Sequence, residues 1–360
     1  MSQLFQPITL RELTVPHRVW MTPMCQYSAA SDGVATGAPN DWHFQHLASR
    51  AVGGAGLILT EATAVSPEGR ISAFDLGLWN EHQQQAFRRI TAFLEAAGAV
   101  PGIQLAHAGR KASTNSPWTD GGRAVPADRG GWRTVAPSAL AFGTNPTPDQ
   151  LTTDQIAVVV RQFAEAAERA LAAGFKVAEI HGAHGYLVHE FLSPYSNTRT
   201  DGYGGPLENR MRFALEVVDA VRAVWPEHLP VLFRTSATDW LPDGTPGWTG
   251  QDTVRLAKEL QAHGVDLLDV STGGNVPDAT IPAAPGYQVP YAAAVREQTG
   301  LPVAAVGLIT DPHQAEAIVA DGQADAVLVG RQLLRDPYWP RHAAHALGAD
   351  LPRTPQYARA

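Results

Sequence analysis

Apolar positions along the chain fall into two rhythms. Short, continuous apolar runs occupy residues 19–22, 56–61, 102–107, 177–180, 231–235, 267–271, 302–307 and 326–330. Runs of this length, rich in branched residues and not alternating with polar ones, predict strands buried on both faces. Between them lie stretches with apolar residues three and four apart, the spacing of one helix face. Phe87, Ile90, Leu94 and Ala97 are spaced this way over 82–97. Ile156, Val159, Val160, Phe163 and Ala167 are spaced this way behind Thr152 and Gln155, a capping-box pair. Further helices are predicted over Asp41–Val52 and Leu207–Val224, with two more opened by Asp311-Pro312 and Asp336-Pro337.

Eight apolar strands alternating with helices predict a parallel sheet covered by helices. In one chain of 360 residues, eight units suggest an α/β fold closed as a single (β/α)8 TIM barrel spanning 1–360. A doubly wound sheet is the competing architecture, but no GxGxxG turn follows the first strand. Residues 1–18, broken by Pro7 and Pro16, read as an N-terminal hairpin cap. The aperiodic Gly-, Pro- and Trp-containing segment 108–150, after the third strand, is expected to be a long active-site loop, and 351–360 a C-terminal tail.

Composition narrows the partners. A hydrophobic content of 44% with 17% charged residues describes a globular chain with a sizeable core. The net charge of −8 argues against nucleic acid and anionic membranes, which attract basic patches. Cys25, the one cysteine, excludes an intrachain disulfide framework and any cysteine-rich metal site. The first residues carry no signal pattern and no apolar run reaches membrane-spanning length, so a cytoplasmic location is expected.

A barrel gathers its chemistry at the C-terminal strand ends. Those ends deliver Pro23, Met24, Cys25 and Tyr27, then Glu61 and Ala62, then Gln104 and His107 followed by Arg110 and Lys111. The fourth delivers His181, His184 and Tyr186, and the fifth carries Arg234. The last two end at Gly307 and at Gly330-Arg331, a set suited to a phosphate through close backbone approach and a guanidinium fork. Two imidazoles beside a phenol can hold an oxygen and deliver a proton.

These motifs carry a resemblance. Pro23-Met24-Cys25-Gln26-Tyr27, the run from Gln104 to Lys111, His181 to Leu187, Ser196 to Asp201 with Tyr203-Gly204-Gly205 and Glu208-Asn209-Arg210, and Val329-Gly330-Arg331 stand in one order across essentially the whole chain. In that order the chain resembles the Old Yellow Enzyme family of FMN-dependent ene-reductases, in the branch of thermophilic-like members and xenobiotic reductases. The resemblance implies FMN across the barrel mouth, with its phosphate at Gly307, Gly330 and Arg331. It implies Gln104 on the pyrimidine edge, Ala62 and the Pro23-Met24 backbone against the ring, and Arg234 beside the edge that becomes anionic on reduction. His181 and His184 would hold the oxygen of an activated alkene and Tyr186 would protonate it. Cys25 would tune the flavin and Tyr27 would contact substrate. NADPH, or NADH, would be the reductant.

In the same branch the tail places an arginine in a neighbouring subunit's site, which implies a homodimer or homotetramer with Arg359 in the partner's pocket. Gly182 stands between the histidines where that family commonly has alanine, and predicts a looser loop. Residues 113–134 are longer than in the branch's shorter members, which bears on site access and substrate scope.

Two other readings stay open on sequence alone. His107, His181 and His184 could bind zinc in a metal-dependent barrel hydrolase or lyase, although only Glu61 is available as a carboxylate at these exits, Glu179 lying within its strand. A flavin redox sensor acting through Cys25 is the second; against any role for Cys25 stands the less favoured reading of an inert packed thiol.

Overall fold

The computed structural model describes residues 2–357 and 359. It opens with the antiparallel hairpin of β1 (Ile8–Leu10) and β2 (Leu13–Val15). There follow β3 (Val19–Met21), α1 (Asp41–Val52), β4 (Leu57–Ala64), α2 (Glu81–Ala96) and β5 (Val100–Ala106). The long loop carries a short pair, β6 (Val135–Ala136) and β7 (Asp149–Gln150), and leads to α3 (Thr153–Ala172). Next come β8 (Val177–Gly182), α4 (Leu187–Leu192), α5 (Leu207–Val224), β9 (Val231–Ser236), α6 (Gly250–Ala262) and β10 (Leu267–Ser271). The chain ends with α7 (Val289–Thr299), β11 (Val303–Ala305), α8 (Pro312–Ala320), β12 (Ala326–Val329), α9 (Arg331–Arg335) and α10 (Trp339–Ala346).

β3, β4, β5, β8, β9, β10, β11 and β12 pair in that order, all parallel, and β12 returns to β3. The expected (β/α)8 barrel is therefore closed, with no free edge. The hairpin cap is also present. Its Leu10 and Val15 pack with Trp20, Leu59, Val177 and Leu328 inside the barrel, so the hairpin plugs the end opposite the mouth. Outward strand residues such as Ile103, Ile180 and Val303 join Phe87, Phe163 and Phe213 of the helices in the main core.

Local signals held where side-chain chemistry was explicit. Thr152 Oγ1 accepts from Gln155 N at 3.2 Å, and Gln155 Oε1 accepts from Thr152 N at 2.9 Å. Asp311 caps α8 through Gln314 N at 2.9 Å. Asp336-Pro337 differs from expectation: it forms the turn between α9 and α10, with α10 starting at Trp339. Gly182 also differs. It is the last residue of β8, where a Cβ would fall 2.2 Å from the Phe233 ring, so it is a tightly covered strand position rather than a loosened loop.

Two loops at the mouth interlock through glycine. Gly185, at φ +70°, has space for a Cβ only 2.3 Å from Gly274 O, and a Cβ on Gly274 would lie 2.7 Å from His184 Cα. Both faces of this contact are backbone, which cannot swing aside. Gly185→Ala is expected to cost about 2–4 kcal/mol, from positive-φ strain plus overpacking. Gly98→Ala is the control, because Gly98 shares the positive φ but faces open space. Urea unfolding of both variants checks this; equal losses would show that the interlock contributes nothing.

Candidate active site

The mouth is built from the strand exits. On the β3 side, Pro23, Met24, Cys25 and Tyr27 run as an irregular segment fixed by Glu61 of β4. Glu61 Oε2 accepts from Gln26 N at 2.8 Å, and its other oxygen lies 3.4 Å from buried His43. Gln26 also donates through Nε2 to Met24 O at 2.8 Å. Tyr27 sits at φ +49°, an unusual backbone state for a bulky residue. Its ring meets exposed Trp118 of the long loop edge-on at 5.7 Å. Ala62 follows an irregularity in β4 and packs with Ala106, Cys25, Tyr27 and Tyr186 in one small apolar cluster.

Opposite stand the histidines. His181 and His184 lie edge-to-face at 5.2 Å, and Tyr186 is 5.2 Å from His181. His184 Nε2 pairs with Ser271 Oγ at 2.8 Å, and its backbone N donates to Ser236 Oγ at 2.9 Å. His181 Nδ1 is buried with no hydrogen-bond partner among the described residues. Lys111 ties the loops together, donating to His184 O and Gly274 O, both at 2.8 Å. Lys111 is thus an anchor of the histidine loop, and Arg110 is likewise bound to Asn275 and Leu140.

Burial sets the protonation states. It drives both imidazoles well below their usual value, helped by the positive charge of Arg234, so they are neutral. It drives the Tyr186 phenol well above its usual value, with Cys25 and Tyr27 adding to the shift. Cys25 is pushed up by burial and then by Asp75 and Glu61, which leaves a thiol rather than a reactive thiolate. Lys111 is lowered to about 8 by burial.

Below the histidines, Gln104 Nε2 donates to Glu179 Oε1 at 2.8 Å, and Arg234 Nε lies 2.9 Å from Asp269 Oδ2. At the remaining exits, Gly307, Gly330 and Arg331 line a cavity of about 250 Å³ together with Thr22, Met24 and Arg335. A Cβ on Gly307 would lie 2.9 Å from Gln288 Nε2, and one on Gly330 3.0 Å from Thr22 Cγ2. The buried hydroxyl of Thr22 has no partner among the described residues. A cavity with two arginines and two glycines among its lining fits the phosphate end of a cofactor such as FMN.

Sequence reading missed several contributors. Thr22, Glu61 as a backbone clamp and Gln288 act through tertiary neighbours, and nothing in local spacing marks them; Ser271 at the sixth strand exit and Trp118 of the long loop were legible by position but not by role. Arg359 is exposed on a tail whose residues 352–357 line one cavity with Val52, Phe93 and Ala97, at the C-terminal ends of α1 and α2. Helices run back against the strands, so that is the end away from the mouth. No group of three metal-ligating side chains occurs among the described residues, and no helix among them is long and apolar enough to cross a membrane.

Residues 3–350 match the NADH:flavin oxidoreductase / NADH oxidase family. The NADPH dehydrogenase of Geobacillus thermodenitrificans is 46% identical over 357 residues, covering 99% of this chain and 98% of that one. The NADPH dehydrogenase of Listeria monocytogenes serovar 1/2a is 46% identical over 362 residues, with 100% and 99% covered. Among solved structures, morphinone reductase superposes with a TM-score of 0.78 at 30% identity, over 99% of this chain and 92% of that one. An old yellow enzyme homologue from Zymomonas mobilis gives a TM-score of 0.78 at 26% identity, with 98% of each chain covered. The chain therefore belongs to the NADH:flavin oxidoreductase / NADH oxidase family, as an FMN-dependent oxidoreductase of the Old Yellow Enzyme type that takes its electrons from NADPH or NADH.

Proposed function

We propose that this enzyme reduces the activated carbon–carbon double bond of enones, enals and nitroalkenes. The observation that carries this reading is the convergence of two neutral imidazoles and one protonated phenol on the barrel mouth, facing the apolar patch of Cys25, Ala62 and Tyr27. Nitro compounds, with similar oxygens, fit the same site.

Bound FMN supplies hydride exchange with the nicotinamide and with the alkene. Gly307, Gly330 and Arg331 would hold its phosphate, and Gln104 and Arg234 its polar edge. Ala62 and the Pro23-Met24 backbone would line its ring, with Cys25 beside them. His181 and His184 hold the substrate's carbonyl or nitro oxygen. As neutral donors they withdraw electron density from the double bond and steady negative charge as it develops on that oxygen. The Ser271 contact fixes the His184 ring, and Lys111 fixes its backbone. Tyr186 gives its hydroxyl proton to the α-carbon. Its raised pKa keeps that proton in place across the neutral range. Tyr27, braced by Trp118, closes the substrate side. The protonated thiol of Cys25 favours a tuning role over a redox-sensing one.

The tail supports an oligomer. Arg359 starts from the end of the barrel away from its own mouth, so a site it completes belongs to another copy, in a homodimer or homotetramer.

Three outcomes test this reading. Adding 4-hydroxybenzaldehyde to the flavoprotein should produce a long-wavelength charge-transfer band, and His181→Ala should weaken that binding roughly tenfold or more, the loss of one good hydrogen bond to charge. An unchanged Kd in the variant would remove the histidine from the role. Tyr186→Phe should slow alkene reduction by about 10²-fold or more while stopped-flow flavin reduction by NADPH stays at the wild-type rate; equal slowing of both would mean the phenol is not the proton donor. Because both imidazoles are held neutral well below their ordinary value, affinity for a non-ionising enone should be flat from about pH 8 down to about pH 6. A midpoint near the usual histidine value would contradict the buried, neutral state.

A further inference from the structure

Four polar side chains on four neighbouring strands fill the barrel directly beneath the histidines. They are Gln104 of β5, Glu179 of β8, Arg234 of β9 and Asp269 of β10. All are buried, and Glu179 and Asp269 are wholly so. Register places Gln104 beside Glu179 and Arg234 beside Asp269, and the 2.8 Å and 2.9 Å contacts follow from it. On the other side Arg234 is in register with His181. The reaction chemistry above makes no use of either carboxyl.

The charge count is uneven. Two carboxyls share one guanidinium over an apolar floor, where Trp20, Leu59, Ala304 and Leu328 of β3, β4, β11 and β12 bring no charge. His181 on β8 and Ser271 on β10, the nearest polar groups above, bring none either, since the imidazole is neutral. Two carboxylates and one cation in a dry interior leave a net negative charge, which a proton cancels at least cost. Both carboxyls are raised. Glu179 moves up to about 8, through burial and then Asp269, and Asp269 up to about 6 through burial, with Arg234 opposing. Glu179 Oε2 and both Asp269 carboxyl oxygens have no hydrogen-bond partner among the described residues, Oδ2 meeting Arg234 Nε as an ion pair only, so each carboxyl has an oxygen free to carry a proton.

We propose that Glu179 and Asp269 form a paired proton store beneath the flavin edge, which takes up a proton as the cofactor is reduced and so sets its potential through Gln104 and Arg234. This rests on the seat of the cofactor proposed above. The nicotinamide delivers two electrons as a hydride, and the negative charge that appears beside Arg234 competes with Asp269 for that guanidinium. The loosened carboxylate gains proton affinity and draws a proton from solvent; on reoxidation it returns it. Glu179 and Asp269 are positioning residues here, since neither touches the reacting atoms.

The sign follows from linkage. A group that binds protons more tightly in the reduced state makes the potential fall more steeply with pH, starting where the oxidised form begins to lose its proton. The test is a spectroelectrochemical titration of the FMN potential in the holoenzyme from about pH 5 to about pH 9.5. The wild type should show an excess slope of up to one proton per two electrons within that range. Glu179→Gln, which keeps the acceptor for Gln104, and Asp269→Asn should each lose part of this excess slope, Asp269→Asn with a higher potential as well. Variant curves parallel to the wild type, with FMN affinity intact, would overturn the proton store and leave the cofactor's seat standing. Unchanged FMN affinity in both Gln104→Ala and Arg234→Ala would instead sink the seat. Should a variant not fold, redox-difference infrared spectra of the wild-type holoenzyme decide the matter. A carboxylic acid C=O band gained on reduction and shifted in heavy water supports the store, and its absence at every pH overturns it.

Discussion

Closing eight parallel strands into one ring puts all eight C-terminal ends on the same face, and the strand-exit residues of the site, from Cys25 through His181 to Arg331, leave from that face. The ring also has an inside, which must be filled. Apolar side chains and the β1–β2 hairpin fill the far end. Toward the mouth the filling turns polar, through Gln104, Glu179, Arg234 and Asp269. That change of character divides the molecule into a part that provides stability and a part that provides chemistry. A buried arginine is costly unless paired, and the pairing with Asp269 is what allows a positive charge to sit beneath the mouth.

Burial also sets the state of the groups at the mouth. His181 is buried and His184, Tyr186 and Cys25 are half-buried, and each responds in the direction that favours its neutral form. Neutral imidazoles donate a hydrogen bond without fixing a charge in advance, and a neutral phenol holds a proton ready. The site's charge is carried below, by Arg234, and at the cavity of Gly307 and Gly330, by Arg331. Donors, proton and cations are thus spread over different strands, and none has to serve two tasks.

Holding these groups still falls to contacts remote in sequence. Lys111, from the loop after β5, grips the carbonyls of His184 and Gly274. Glu190 of α4 accepts from Arg110 N at 2.9 Å, and Glu61 of β4 holds the Cys25 segment. His184 and Tyr27 both adopt positive φ, a strained state for such residues. The strain persists because Gly185, Gly274, Ser271 and Trp118 enclose these two residues.

Periodicity alone made the eight strands and the helix faces legible, because burial on both sides leaves an unbroken apolar run and burial on one side leaves a three-and-four spacing. Caps such as Thr152 and Asp311 were legible for the same local reason. Arg234 stood out since a charge within an apolar run needs a partner. That partner, Asp269, could not be read from the chain, being 35 residues away and set by strand register. Glu179 looked like a residue merely within its strand, and only barrel closure turned it inward onto Gln104. The covering of Gly182 by Phe233, the clamp of Glu61 on Gln26, and the starting point of Arg359 away from its own mouth are of the same kind. Sequence by itself determined which residues are apolar, how they repeat and which carry chemistry. Tertiary structure decided which of them meet, because the hydrogen bonds and protonation states of this site depend on distances between strands that the order of residues does not contain.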